Sequence, residues 1–336
     1  MIKTVHFGGF AASGGSALRD LFYEYDDIFV FPAEFRLLKE KNGLLDLERS
    51  LFISKSPDNI DLAIKDFKSL SINLARITTK LKRIGFSYDK YTENQFSLLI
   101  NKFIEEIINY RYPFNSHNYD FRKSYIKSQL DRYAAKLLPY SFFERDAYMA
   151  YPSYENYLKS AKKLLLNIFQ AAINKENSNP KYIALHNVVN HFTFEEIFSS
   201  ARYFDDFKMV IIDRDPRDIF IDFPHHRYIP KNIDNLEKAK CFVQFFKALR
   251  LNINEIKKLE FCLLISFEEL INNYDKTLNK IDNFLVINKK SKNLEKKYFS
   301  PLDSSKNIRK YKKLGNEYKL AIKYIEQELP EYLYNN

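Results

Sequence analysis

The sequence predicts an α/β fold built on a parallel sheet. Two observations carry this. Short apolar runs of strand length, at 5–7, 28–31, 182–186, 207–213 and 261–266, alternate with segments of helical spacing. Four of the seven glycines in 336 residues, Gly8, Gly9, Gly14 and Gly15, fall in one stretch directly after the first of those runs.

That stretch, Val5 to Leu18, reads as strand, glycine loop and helix start, with Leu18, Leu21, Phe22 and Tyr25 on one helical face. Such a junction suits phosphate, because backbone N–H groups and the positive end of the helix dipole point the same way. From Gly9 to Ser16 the pattern is G-x-x-x-x-G-G-S, a nucleotide-triphosphate loop with glycine in place of its lysine. The missing lysine argues against ATP or GTP. A small-residue turn without ligand is the competing reading.

Ile28–Phe31 reads as a second strand, and Glu34 and Arg36 follow its C-terminal end. Ligands of open α/β sheets bind beyond such ends. Glu34 is equally suited to a helix start, where a carboxylate complements the dipole. From Asp58 to Asn174 the apolar spacing is helical throughout (Phe67, Leu70, Leu74, Ile77, Leu81; Phe96, Leu99, Phe103, Ile107), and no strand is expected there. This reads as a helical insertion, 58–174, within a single domain spanning 1–336. Its Tyr110, Arg111, Tyr112, Arg122, Tyr125, Arg132 and Tyr133 could line an acceptor cleft or simply be core and solvated faces.

Pro180–Asn187 is a buried strand ending in His186, whose imidazole could serve as a base near neutral pH. Phe207–Asp213 is the clearest strand. It runs into Arg214-Asp215-Pro216-Arg217-Asp218, which sets guanidiniums suited to phosphate at a sheet edge. A salt-bridge network at a turn would use the same residues. Helix, strand (Phe261–Ser266), helices, a basic loop (Ser304–Tyr311) and a last helix (about Asn316 to Glu328) complete the chain.

The composition, 46% apolar and 29% charged, is that of a soluble globular protein. No run suits a membrane span or a secretory signal, and a cytoplasmic location is the expectation. Cys241 and Cys262 read as small apolar residues rather than a disulfide or metal pair. The net charge of +10 is spread out, denser at Lys289–Lys297 and Lys306–Lys313. No helix carries a basic stripe with interleaved aromatics, so nucleic acid is not an expected partner.

Taken in order, these pieces resemble the sulfotransferase family that uses 3′-phosphoadenosine 5′-phosphosulfate, closest to its bacterial glycan-modifying members. Gly9–Leu18 resembles the 5′-phosphosulfate loop, and Val210–Phe220 the 3′-phosphate segment. Leu264–Leu270 resembles a later strand and helix, and Ser304–Tyr311 the basic loop that closes over the nucleotide. The resemblance implies a three-layer P-loop-like fold and transfer of a sulfuryl group to an acceptor hydroxyl, expected on a saccharide. The product would be adenosine 3′,5′-bisphosphate, with no metal. By position, Ala12, Ser13, Gly14, Gly15, Ser16 and Ala17 would form the phosphosulfate loop. Arg214, with Asp222, would stand at the 3′-phosphate, and Lys306, Asn307, Arg309 and Lys310 would come from the closing loop. The base would be Glu34, slightly favoured, or His186.

Two residues depart from the family pattern. Ala12 stands where a lysine or arginine is usual, so Arg19, Arg36 or a basic residue from the helical insertion would have to stabilise the leaving oxygen. Asp222 stands where a serine is usual. The alternatives are a phosphoryl transferase, with Asp213 as the candidate Mg²⁺ ligand, and a nucleotide- or glycan-binding protein that has lost catalysis.

Overall fold

The computed structural model describes residues 2–76, 86–114, 124–137, 145–223, 230, 232–287 and 294–334. Ile77, Leu81, Arg122 and the 289–293 part of the first basic run lie outside them. The chain divides into two compact units, Met1–Lys39 with Phe169–Asn336, and Glu40–Ile168.

Seven strands occur among the described residues: β1 (Lys3–Gly9), β2 (Ile28–Val30), β3 (Tyr110–Phe114), β4 (Arg145–Met149), β5 (Tyr182–His186), β6 (Phe207–Asp213) and β7 (Cys262–Ser266). In the first unit, five form a parallel sheet in the order β2-β5-β1-β6-β7. The α/β fold with a central parallel sheet flanked by helices is therefore as the sequence predicts. β1 lies in the middle, with Val5 opposite Ala184 and Lys208. A strand covered on both faces must be apolar on both, which explains the unbroken apolar run of β6.

On one face, Val5, Phe7, Val210 and Ile212 pack with Leu18, Leu21 and Phe22 of the helix α1 (Gly15–Phe22) and with Ile281 and Leu285 of the helix Tyr274–Leu285. On the other, His6 is fully buried, with the rings of Phe204 and Phe207 at 4.2 and 4.5 Å. A further cluster joins the helices Pro216–Asp222, Asn235–Ala248 and Lys319–Glu328 through Phe220, Phe242, Phe246 and Ile325. The expected last helix opens as a 3₁₀ turn, Asn316–Tyr318, before Lys319. Cys241 and Cys262 are free thiols, and burial pushes Cys262 up to about 12. No helix among the described residues is long and apolar enough to cross a membrane.

The second unit is mostly helical. Ser56 caps the helix Pro57–Ala75 by accepting the Asn59 N–H at 3.2 Å, and Phe67 of that helix meets Phe103 at 5.6 Å. It also contains an antiparallel pair, β3–β4, where helical spacing alone was expected. Tyr-Arg-Tyr-Pro-Phe and Arg-Asp-Ala-Tyr-Met are short, charged and interrupted by Pro113, so they carry little strand signal. A two-stranded pair has only edges, and there proline is tolerated. Asp61 fastens this pair to the long helix by accepting the Tyr148 N–H at 2.9 Å.

Candidate active site

The C-terminal ends of β1, β5 and β6 meet the start of α1 around a cavity of about 710 Å³. The turn into α1 uses two left-handed residues, Ala12 at φ 59° and Gly14 at φ 110°. Gly14 is required twice over. Its φ suits glycine, and a Cβ there would lie 2.7 Å from Cδ2 of Phe267. No side chain caps α1, and Gly14, Gly15, Ser16 and Ala17 at its start line the cavity; the Ala17 N–H is taken by the Gly14 carbonyl at 2.9 Å.

Ser13 lines the same cavity but turns its donors inward. Its Oγ–H donates to the Ile212 carbonyl at 2.7 Å and its N–H to Phe10 at 2.9 Å. The hydroxyl expected at the phosphosulfate therefore ties the loop to β6 instead. Ala12 contributes a carbonyl, which accepts from Arg214 Nη1 at 3.3 Å.

His186 and Glu34 both line the cavity. His186 stacks on Phe7 at 5.0 Å, and its Nε2 lies 3.0 Å from where a Cβ on Gly15 would stand. Imidazole and helix start are thus neighbours. Burial lowers the imidazole to about 4; the nearby Glu34 opposes this, while Arg19, Lys39 and Arg36 add to it. His186 is therefore neutral at ordinary pH. Glu34 accepts from Asn187 Nδ2 at 3.1 Å on one oxygen and from Arg36 on the other. Burial pushes its carboxyl up, but Arg36, Asn187 and His186 outweigh this and hold it below the ordinary value.

Arg214 lines the cavity from the end of β6, 5% exposed. Its Nη1 donates to Asp222 at 2.7 Å and its Nη2 to the Asn307 carbonyl at 2.6 Å. Asp222 and Asn307 line the cavity as well. Arg309 and Lys310 do not line it. The Arg309 N–H donates to Asp218, and Lys310 Nζ to Asp222 at 2.7 Å. Arg217 faces away from it, bound to Asp215 and Glu326 and lying over Tyr311.

The two cations named as substitutes for the loop lysine are engaged: Arg19 with Asp20, Arg36 with Glu34. Lys297 and Lys296, the latter paired with Glu295 at 3.7 Å, line the cavity with Tyr298. Buried Glu24 fixes their segment by accepting the N–H groups of Tyr298 and Phe299 at 3.1 and 2.9 Å. The sequence showed these lysines only as local charge density. Asn187 was also missed; it follows His186 in the left-handed region at φ 53° and turns its amide onto Glu34.

Asp213, the candidate Mg²⁺ ligand, does not line the cavity. Its two oxygens accept from Nη2 and Nε of buried Arg250 at 2.6 and 2.9 Å. No cluster of three or more potential metal ligands occurs among the described residues.

No family model matches the chain, and no curated protein matches it. Among solved structures it is similar to the sulfotransferase domain from the curacin biosynthetic pathway. That match has 13% identity and a TM-score of 0.44, covering 88% of this chain and 77% of that one. It is also similar to the sulfotransferase domain of the Synechococcus PCC 7002 olefin synthase, at 13% identity and TM-score 0.44, covering 96% and 94%. A third is the sulfotransferase STF9 from Mycobacterium avium, at 11% identity and TM-score 0.40, covering 98% and 76%. Likeness at this level is similarity only, and the chemistry rests on the residues described above.

Proposed function

We propose that this chain is a sulfotransferase, moving a sulfuryl group from a nucleoside 5′-phosphosulfate to an acceptor hydroxyl. One observation carries the reading. The uncapped start of α1 opens on a cavity that a neutral histidine and an ionised carboxylate, His186 and Glu34, also line. Gly14, Gly15 and Ser16 are the residues whose N–H groups would hold the phosphosulfate, with Ala17 beside them and the helix dipole behind.

When bound, such a donor supplies the sulfuryl group, whose bond to the phosphate oxygen breaks as the acceptor oxygen bonds to sulfur. His186 takes the acceptor's proton. Glu34, the carboxylate whose charge raises that imidazole, stabilises the imidazolium that forms. Glu34 is assigned the supporting role because both its oxygens already accept hydrogen bonds. Lys296 and Lys297 are the cations we assign to the charge on the leaving group, in place of the absent loop lysine. A 3′-phosphorylated donor and a saccharide acceptor rest on the family resemblance alone.

The test is nucleotide release from adenosine 5′-phosphosulfate and its 3′-phosphorylated form by the full chain, with a phenol as generic acceptor. His186→Ala is expected to slow release by about 10²-fold or more, and Glu34→Gln by about tenfold. Release from neither donor, or an unchanged rate in His186→Ala, would overturn the reading.

A further inference from the structure

The charge of Arg214 is already matched from within the chain. Asp222 accepts from its Nη1 on one oxygen and from Lys310 Nζ on the other, both at 2.7 Å. The carbonyls of Ala12 and Asn307 accept from Nη1 and Nη2. The carboxylate therefore sits between two cations, next to the cavity it helps to line. Burial raises its pKa, but Lys310 and Arg214 together hold it below the ordinary value, so it is ionised.

Both terminal nitrogens of this guanidinium are thus taken, and its Nε is buried. A phosphate dianion is a poor partner here, because it would be brought against the Asp222 carboxylate that holds the same guanidinium. A hydroxyl brings no such charge, and it can donate to the carboxylate, which is part-exposed and lines the cavity.

Resting on the nucleotide site proposed above, we infer that the donor carries an unphosphorylated ribose. Its 3′-hydroxyl donates to the Asp222 carboxylate, which lines the cavity and stands in for the 3′-phosphate that the sequence resemblance implies. The ligand class is then a nucleoside 5′-phosphosulfate with a free sugar, and Asp222 is the residue that selects it.

Calorimetry on the full-length protein tests this with three probes: adenosine 5′-monophosphate, adenosine 3′,5′-bisphosphate and 3′-deoxyadenosine 5′-monophosphate. The monophosphate is expected to bind about tenfold or more tighter than the bisphosphate, and loss of the 3′-hydroxyl to weaken binding about tenfold. Asp222→Asn is expected to raise bisphosphate affinity about tenfold and so narrow the preference for the monophosphate. These wild-type comparisons stand even where the variant folds poorly. Tighter binding of the bisphosphate to the wild type, or equal binding of the deoxy probe and the monophosphate, would overturn the inference and leave sulfuryl transfer standing. Silence of all three probes would overturn both.

Discussion

Asp218 holds the backbone at Arg309 and Tyr311 with both oxygens of one carboxylate. Oδ2 accepts from the Arg309 N–H at 2.7 Å and Oδ1 from the Tyr311 N–H at 3.2 Å. This contact puts Arg309 in the left-handed region, φ 57°, and sets Asn307 where its carbonyl meets Arg214. Burial raises the Asp218 carboxyl, so these two N–H groups are what support its charge against desolvation. Asp218→Ala leaves both without an acceptor and is expected to cost about 1–3 kcal/mol in urea unfolding. Hydrogen exchange gives the local reading: the Arg309 and Tyr311 amides should lose protection first. Unchanged protection there would mean that something else anchors the loop.

Gly14 answers to a different constraint. It combines φ 110° with a Cβ position 2.7 Å from the Phe267 ring. Gly14→Ala is expected to destabilise the fold by roughly 1–3 kcal/mol through backbone strain and to weaken nucleotide binding with it. Gly15→Ala separates the two effects. Its Cβ would reach His186 Nε2 at 3.0 Å without a positive φ. Turnover should therefore fall while the thermal midpoint stays within a few degrees.

How far this arrangement could be read from the sequence depends on the range of each interaction. The five strands of the parallel sheet are apolar runs that are legible locally, and the crowding of glycine before Ser16 marks the turn. What the sequence could not give was direction. Ser13 sits in the expected loop, yet its hydroxyl points back to Ile212, 199 residues away, rather than into the cavity. Lys296 and Lys297 reach the cavity because Glu24, far earlier in the chain, holds the Tyr298 and Phe299 amides. Nor does periodicity distinguish Arg214 bound to ligand from Arg214 bound to Asp222; only the fold brings Asn307, Lys310 and Asp222 together around it.

Two buried histidines outside the cavity set the acid limb of stability. Burial lowers both His6 and His191 from 6.5 to about 3. Below pH 6.5 the unfolded chain takes up protons that the native state refuses until about pH 3. The unfolded state thus binds more protons across that window, and stability falls as the pH drops through it. It is fully present above 6.5. The slope is expected to approach about 1.4 kcal/mol per pH unit for each histidine. His6→Phe, placed between Phe204 and Phe207, should remove one of these contributions. Urea unfolding of wild type and variant at pH 7 and pH 5 would measure it, and an undiminished pH dependence in the variant would contradict the assignment to His6.

Asp213 and Arg250 form the pair whose loss should be felt most. Two parallel hydrogen bonds join them, and Arg250 is 1% exposed on its side chain, lying against Phe246 and Phe10 at 3.4 and 4.2 Å. The same Asp213 oxygen that meets Nη2 also accepts the Arg214 N–H at 2.8 Å, so this pair sets the backbone from which the site arginine extends. Removing one partner leaves the other charge buried and unmatched. Asp213→Asn is expected to destabilise by about 3–5 kcal/mol. Arg250→Lys should not rescue an equivalent loss, because a point charge cannot make the paired contact or stack between the rings. A metal-ligand role for Asp213 makes the opposite forecast: Asp213→Asn would keep its stability and lose a Mg²⁺-dependent activity. Urea unfolding with and without Mg²⁺ separates the two, and a stable, metal-insensitive variant would contradict both.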